Sequence, residues 1–121
     1  MKALIVVAHG SRRKQSNEEV VSLIEKIKAT NIEGYDSFHA SFLELATPSI
    51  TDTIEACVND GVTSIVLLPY FLNSGTHVVN DIPSIVNQAK LNYPTLDIHM
   101  TKHIGASDLM MDLILSLSEN K

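Results

Sequence analysis

The stretch KALIVVA, residues 2–8, is a nearly continuous apolar run that ends directly before His9 and Gly10. Successive side chains of a strand point to opposite faces, so a strand that is apolar throughout must be covered on both faces. Such strands are typical of parallel sheets with helices on either side. This stretch therefore predicts the first strand of an α/β domain, with His9 where the chain leaves the sheet.

The alternation of an apolar strand and an amphipathic helix occurs four times along the chain. After the first strand, we predict strands over residues 35–45, 63–68 and 96–101. The first helix is predicted to begin near Ser16. The other three are predicted over about residues 47–60, 81–93 and 107–117. Four strand–helix units with short connections predict a four-stranded parallel sheet of order 2-1-3-4 with helices on both faces.

Helix starts and buried faces are predicted from local signals. Ser16 and Glu19 have the spacing of a capping box, Thr47 precedes Pro48 at the second helix, and Asp81 is expected to cap the third. Helical spacing also predicts which leucines of the last helix face inward: Leu109, Leu113 and Leu117.

Composition narrows the class of protein. With 121 residues, 45% of them hydrophobic, the chain has the size of one globular domain. The net charge of −5 argues against nonspecific nucleic-acid binding, which needs a basic surface. No apolar run approaches the ~20 residues that span a bilayer, so no membrane segment is expected. Cys57 is the single cysteine and is predicted to be a core residue, which favours a reducing, cytoplasmic location.

A titratable residue lies at or after the end of each of the four predicted strands, at the edge of the sheet where the strands have their carboxyl ends. They are His9 after strand 1, Glu44 at the end of strand 2, His77 after strand 3 and His103 after strand 4. Loops at this edge meet in one crevice, and two imidazoles facing it can hold cobalt, nickel, iron or zinc. The alternatives are that each histidine caps or packs a loop and that Glu44 is an exposed charge. His39 and His99 fall within strands and are interpreted as structural.

Three segments carry a resemblance to a known family. They are AHGSR at residues 8–12, FLELATPSI at residues 42–50 and LPYFLNSGTHVVNDIP at residues 68–83. Together they resemble the signature segments of the sirohydrochlorin chelatases, which are class II tetrapyrrole chelatases. The resemblance implies a single chelatase half-domain over residues 1–121 that pairs as a homodimer. It also implies ATP-independent insertion of a divalent metal, cobalt first and nickel or iron next, into sirohydrochlorin. No ATP, flavin or nicotinamide cofactor is expected.

The resemblance also implies site residues. His9 and His77 match the metal-binding and catalytic histidines of the family, and Glu44 matches an acidic residue that joins them. Sirohydrochlorin carries eight carboxylates, which Arg12 and the neighbouring Arg13 and Lys14 would suit. The remaining substrate-binding residues that we expect are Ser11, Tyr70, Phe71, Leu72, Gly75 and Thr76.

Two other functions fit parts of the pattern. A noncatalytic carrier of metal or tetrapyrrole would use the same ligand atoms. Histidine-type phosphatases also place a His-Gly pair after the first strand, but their histidine follows an arginine, whereas this chain has Ala8 there.

Overall fold

The structure, a computed structural model, describes residues 1–119. Its centre is a four-stranded, fully parallel sheet of order β2-β1-β3-β4, as predicted. The strands are β1 (Lys2–Ala8), β2 (Ser37–Phe42), β3 (Ser64–Pro69) and β4 (Asp97–Met100). β2 is shorter than the predicted 35–45 at both ends, since it begins at Ser37 and the regular strand ends at Phe42, before the segment that carries Glu44.

Helices cover the two faces of the sheet unequally. The helices are α1 (Lys14–Ala29), α2 (Ile50–Asn59), α3 (Ile82–Asn92) and α4 (Leu109–Glu119). α2 and α3 pack on one face, where a large core cluster includes Ile5, Ile54 and Val86. On the other face, Val20 of α1 packs with Ala8 and Phe42. Right-handed crossovers explain this division, since β1 to β2 runs in one direction across the sheet and the later crossovers run in the other.

The predicted helix caps are wrong in detail. α1 begins at Lys14 and Arg13 makes no side-chain cap, so Ser16 lies inside the first turn. The cap of α2 is Ser49, whose hydroxyl accepts a hydrogen bond from the Asp52 amide, and Thr47 lies before the helix. In both cases the predicted capping residue lies two or three residues from the observed N-cap, which is Arg13 in α1 and Ser49 in α2.

The approach to α3 also differs from the prediction. Residues His77–Asp81 form a π-helical segment that runs directly into α3. Asp81 therefore lies within continuous helical backbone and makes no side-chain cap, contrary to its predicted role. Its carboxylate instead contacts His77.

The predicted burial of α4 is wrong. The three leucines predicted to face inward are exposed instead: Leu109 by 71%, Leu113 by 51% and Leu117 by 62%. A 3-10 turn at Ile104–Ala106 precedes the helix and is the element that α4 chiefly contacts. Cys57, by contrast, is 1% exposed in the core, as expected. Among the described residues, no helix is both long and apolar enough to cross a bilayer.

Candidate metal centre

Three chain segments meet at the carboxyl edge of the sheet. His9 follows β1 directly, Glu44 lies two residues beyond β2, and His77 begins the π-helical segment after β3. The pairing of β1 with β2 continues past the strand ends, because the Leu43 amide donates to Ala8 O at 2.9 Å and the Glu44 amide donates to His9 O at 3.0 Å. These backbone hydrogen bonds hold the His9 and Glu44 segments side by side.

Gly10 permits this close approach. Its φ of +95° lies in the left-handed region, where a side chain is strained. A Cβ atom at Gly10 would lie 1.7 Å from the carbonyl oxygen of Glu44. The glycine is therefore required by the distance between two loops as well as by its own backbone angle.

Three potential ligand atoms converge at this edge. Nε2 of His9 lies 3.3 Å from Nε2 of His77 and 3.3 Å from Oε1 of Glu44. Ligand atoms of these three residues all lie within 4.8 Å of one another, and they form the one such cluster among the described residues. The side chains are about half-exposed, so an ion and a larger molecule can reach them from solvent.

Hydrogen bonds on the far side of each ring assign the tautomers. Nδ1 of His9 lies 2.8 Å from the carbonyl oxygen of Gly10, and Nδ1 of His77 lies 2.6 Å from Oδ2 of Asp81. Both partners are acceptors, so each Nδ1 carries the proton and each Nε2 presents a lone pair. Two lone pairs and a carboxylate oxygen thus face one point, an arrangement that repels itself unless a cation or a proton lies among them.

The distances from His9 Nε2 to the other two ligand atoms fit a transition-metal ion. Metal–imidazole bonds of 2.0–2.1 Å in tetrahedral geometry place neighbouring ligand atoms about 3.3 Å apart. That is the separation of the two Nε2 atoms, and of His9 Nε2 from Glu44 Oε1. Two imidazoles and one carboxylate are an incomplete set that leaves coordination positions for another molecule.

Asp81 is the site residue that the sequence analysis missed. Its carboxylate accepts the Nδ1 proton of His77 and so orients the ring, as carboxylates commonly do behind metal-bound histidines. The signal was present, because His77 and Asp81 are four residues apart and such residues lie on one face of a helix. It was overlooked because Asp81 also matched the pattern of a helix cap.

An apolar cleft adjoins the candidate metal ligands. The ring of Phe71 lies edge-on to His9 with 6.5 Å between ring centroids. The cleft has a volume of about 270 Å³ and is lined by Tyr70, Phe71, Leu72, Ile104, Met110 and Leu113. The three residues expected to contact the macrocycle therefore form part of one surface beside His9, together with residues of the 3-10 turn and α4.

A basic segment, residues 12–14, begins three residues after His9. Arg12, Arg13 and Lys14 are all exposed. The Arg13 guanidinium donates a hydrogen bond to Gln15 Oε1 at 2.7 Å. Nζ of Lys14 lies 3.9 Å from Oε1 of Glu18.

Ser11 has local structural contacts. Its hydroxyl accepts a hydrogen bond from the Arg13 amide, and its backbone exchanges two hydrogen bonds with the Asn17 side chain. Gly75 and Thr76 are exposed immediately before His77, and the Gly75 carbonyl accepts from the Val79 amide.

The other histidines lie outside the ligand cluster. His103 precedes the 3-10 turn and is not among the converging ligands in the described part of the chain. His39 hydrogen-bonds Ser37 within β2, and burial lowers its pKa below the ordinary value of 6.5. Burial also raises the pKa of the Cys57 thiol, which favours the inert, protonated form.

Comparison with known proteins identifies a family for the chain. A family model described as CbiX matches residues 3–120. The chain is 33% identical over 111 residues to a chloroplastic sirohydrochlorin ferrochelatase of Arabidopsis thaliana, covering 92% of this chain and 48% of the relative. It is 33% identical over 119 residues to a sirohydrochlorin cobaltochelatase of Methanococcoides burtonii, covering 92% of this chain and 89% of that relative.

A solved structure has the same fold. It is the sirohydrochlorin chelatase SirB of Bacillus subtilis subspecies spizizenii in complex with cobalt, with a TM-score of 0.85 and 32% identity. The match covers 98% of this chain and 50% of that chain. The chain thus spans about half the length of several relatives that it matches. Because the family model covers nearly all of the sequence, the chain belongs to the CbiX family.

Proposed function

We propose that this protein inserts a divalent metal ion into sirohydrochlorin without consuming ATP. The observation that carries the proposal is the convergence of His9 Nε2, His77 Nε2 and Glu44 Oε1 at the sheet edge. The names of the relatives, which are sirohydrochlorin ferrochelatases and cobaltochelatases, support the substrate. Catalysis is assigned to His9, His77 and Glu44, and metal binding to the two histidines.

The chemistry of insertion suits an incomplete ligand set. The ion must lose water, be held briefly and then pass to four ring nitrogens, which needs open positions on the metal. Insertion also exchanges two pyrrole N–H protons for one divalent ion. An imidazole Nε2 that has released the metal has its lone pair free and can accept one of these protons. Glu44 is proposed to act as third ligand or as second proton acceptor.

The macrocycle is proposed to lie against the apolar cleft with its carboxylates towards the basic segment. Tyr70, Phe71 and Leu72 offer a wall to the ring face. Arg12 is exposed beside the site and can pair with a carboxylate, and Ser11, Gly75 and Thr76 are proposed to contribute hydrogen bonds.

Cobalt is the metal we propose first, with nickel and iron as the other candidates. Borderline ions share a preference for imidazole, so the ligand types agree with all three. The relatives are named for both cobalt and iron. The metal is a substrate in this scheme, and no ATP, flavin or nicotinamide takes part.

Three further points belong to the same proposal. Residues 1–121 are proposed to form one chelatase domain, which the family match over residues 3–120 supports. The working form is proposed to be a homodimer, which the roughly half-length match to several relatives supports. A cytoplasmic location is proposed because Cys57 is buried and unpaired, as in a reducing compartment.

The test is an anaerobic assay of sirohydrochlorin with Co²⁺, Ni²⁺ or Fe²⁺ in the absence of ATP, followed by the absorbance change of the macrocycle. We expect insertion to be faster than the uncatalysed rate for at least one metal. A carrier would bind metal or macrocycle without accelerating insertion. A histidine phosphatase would leave the macrocycle unchanged and form phosphohistidine at His9.

Arg12→Ala tests recognition of the macrocycle. We expect it to raise KM for sirohydrochlorin more than it lowers kcat, because the lost contact is to a carboxylate remote from the ring nitrogens. Lys90→Ala is the control, since Lys90 is an exposed cation in the last turn of α3, outside the basic segment. Equal KM values for the Arg12→Ala variant and the unchanged protein would remove Arg12 from the binding site.

A further inference from the structure

The path of the chain into α3 contains a wide turn directly before a proline. The amide of Ile82 donates to His77 O, five residues earlier, whereas the Val79 amide donates to Gly75 O, four residues earlier, at 2.9 Å. The first bond has the spacing of a π-helix, and the second has that of an α-helix. The turn that ends at Ile82 thus contains one residue more than an α-helical turn, and Pro83 follows at once.

Pro83 explains why the turn is wide. Helical backbone runs without a break from Thr76 through Asp81 and Ile82 into α3, so the proline lies inside a helix and not at its start. A proline there has no amide to donate, and in an α-helix its ring would meet the carbonyl four residues back, which is that of Val79. The proline therefore disfavours an α-helical register at the place where the π-helical register is found.

The wide turn decides the direction of the His77 side chain. α3 packs on the sheet through Ile82, Val86 and Ala89, all of which are buried. In an α-helix each residue turns by about 100°, so a residue five positions before Ile82 would lie about 140° from it round the axis. The hydrogen bond from Ile82 to His77 instead places the two residues about one turn apart on the same side. His77 therefore lies on the side of the helix that faces the sheet.

Burial and position agree with this direction. Val78, next to His77, is 8% exposed, whereas Val79 is 61% exposed. The segment lies at the carboxyl edge of the sheet, since it follows the loop after β3 and precedes α3. A side chain on the sheet-facing side at this edge reaches the end of β1, where Nε2 of His77 lies 3.3 Å from Nε2 of His9. An α-helical register would turn the His77 ring away from His9.

The contact between Asp81 and His77 does not decide the direction of the ring. Oδ2 of Asp81 lies 2.6 Å from Nδ1 of His77 within the same segment. Residues four apart are also neighbours on the surface of an α-helix, so this contact is compatible with either register. The register must therefore be fixed by a residue outside this pair.

Pro83 lies outside the cluster of candidate ligands. It is half-buried and lines a groove between α3 and β4 together with Val86, Ile98 and Met100. It follows His77 by six residues and is not among the three converging ligands in the described part of the chain. An effect of Pro83 on the metal centre must therefore pass through the backbone of the π-helical segment.

We infer that Pro83 is a positioning residue for the candidate metal centre. By disfavouring the α-helical register, it keeps the π-helical turn that points Nε2 of His77 at His9. The inference rests on the proposed function, because it concerns the metal site used there. Pro83 contributes the direction of the His77 ring and adds nothing to the stability of the helix.

Pro83→Ala is the first test. Alanine is the best helix former, so the melting temperature of the variant should equal or exceed that of the unchanged protein. Scalar couplings across hydrogen bonds, measured by NMR, should show the Ile82 amide bonded to Val78 in the variant and to His77 in the unchanged protein.

The same variant should bind Co²⁺ less well. We expect the affinity to fall roughly tenfold or more, the effect of losing a residue that orients a ligand. The visible bands of bound Co²⁺ should also shift, since the His77 imidazole no longer reaches the ion. Pro94→Ala, at an exposed proline before β4, is the matched control and should leave affinity and bands unchanged.

Deletion of Asn80 from the Pro83→Ala variant is the second test. Asn80 is exposed within the π-helical segment. After its removal His77 precedes Ile82 by four residues, so an α-helix again places the two on one side. We expect this shortened variant to recover most of the Co²⁺ affinity that Pro83→Ala loses.

Three results would overturn the inference: a hydrogen bond from Ile82 to His77 that persists in Pro83→Ala, unchanged Co²⁺ bands and affinity in that variant, or no recovery after deletion of Asn80. An unchanged protein that does not bind Co²⁺ would overturn the inference together with the metal centre. A protein that binds Co²⁺ but does not insert it into sirohydrochlorin would contradict the proposed function alone, because none of these measurements uses the macrocycle.

Discussion

Oδ2 of Asp81 lies 2.6 Å from Nδ1 of His77, and the opposite nitrogen of that ring faces His9 at 3.3 Å. The carboxylate fixes both the proton position and the orientation of the imidazole. A π-helical segment carries both residues, and such segments occur often at functional sites. Asp81 thus acts on the candidate metal centre through His77 without being one of its ligands.

Replacing Asp81 with asparagine should weaken metal binding while leaving the fold intact. The asparagine side chain keeps the shape of the aspartate but lacks the charge that holds the Nδ1 proton. We therefore expect Asp81→Asn to lower Co²⁺ affinity roughly ten- to a hundredfold. The measurement is titration with Co²⁺ monitored by its visible absorption bands, which also report the coordination geometry.

Asp97→Asn is the control for this experiment, because Asp97 is an exposed carboxylate at the opposite end of the sheet. It should bind Co²⁺ like the unchanged protein. Equal affinity and identical spectra for Asp81→Asn would show that the carboxylate does not tune His77.

Removal of either candidate histidine ligand should have a larger effect. His9→Ala and His77→Ala each delete one of two Nε2 donors, and we expect Co²⁺ affinity to fall at least about a hundredfold, since ligand loss exceeds the loss of an outer hydrogen bond. Both side chains are about half-exposed, so melting temperatures should change little. Full insertion activity in either variant would contradict the catalytic assignment, and unfolding would favour a structural role.

Glu44→Gln separates two roles of the carboxylate. Glutamine keeps the size of the side chain and is a poor ligand and base. If Glu44 is a ligand, metal affinity falls, and we expect a loss of about tenfold or more. If it acts as proton acceptor, affinity is retained and kcat falls instead. Isothermal titration with Co²⁺ and the insertion assay distinguish these outcomes. If Glu44→Gln changes neither the Co²⁺ affinity nor kcat, Glu44 has no role in the reaction.

Gly10→Ala should damage both stability and the metal centre. Gly10 and Gly34 have nearly the same φ, +95° and +99°, but a Cβ at Gly34 meets nothing within 4 Å. Gly34→Ala should therefore cost about 1–2 kcal/mol from backbone strain alone. Gly10→Ala should cost more, because its Cβ displaces the Glu44 backbone. Urea unfolding measures both, and only Gly10→Ala should also reduce Co²⁺ affinity.

His39 should make the protein less stable in mild acid. Burial, the largest cause, lowers its pKa below 6.5, with smaller and mutually opposing effects from Asp60 and Lys28. The unfolded chain then binds this proton more readily than the folded chain. Its contribution to stability is present above pH 6.5 and is lost as the pH falls from there through the folded pKa.

Urea unfolding between about pH 7.5 and pH 5.5, a range that brackets the ordinary histidine pKa, tests this effect. His39→Gln should reduce the loss of stability over that range, whereas His99→Gln, at an exposed histidine on the opposite edge strand of the sheet, serves as the control. Parallel stability curves for His39→Gln and the unchanged protein would contradict the prediction.

Much of the fold could be predicted because its signals are local. The apolar run at residues 2–8 and the helical spacing in α1 to α3 identify the elements, and the handedness of crossovers then allows few sheet orders. The helix starts were less predictable. Ser16 and Thr47 are good caps, but the free energy of one cap is about 1 kcal/mol, which packing of the whole helix easily outweighs.

The sequence by itself determined the four strand–helix units and the edge of the sheet to which His9, Glu44 and His77 belong, because periodicity identifies the units and parallel strands all end at the same edge. The tertiary structure decided the 3.3 Å distances from His9 Nε2 to His77 Nε2 and Glu44 Oε1, the pairing of Asp81 with His77 and the exposure of α4. Periodicity shows that α4 has apolar residues to bury but cannot show against what. That choice depends on contacts between segments distant in sequence, or between copies of the chain.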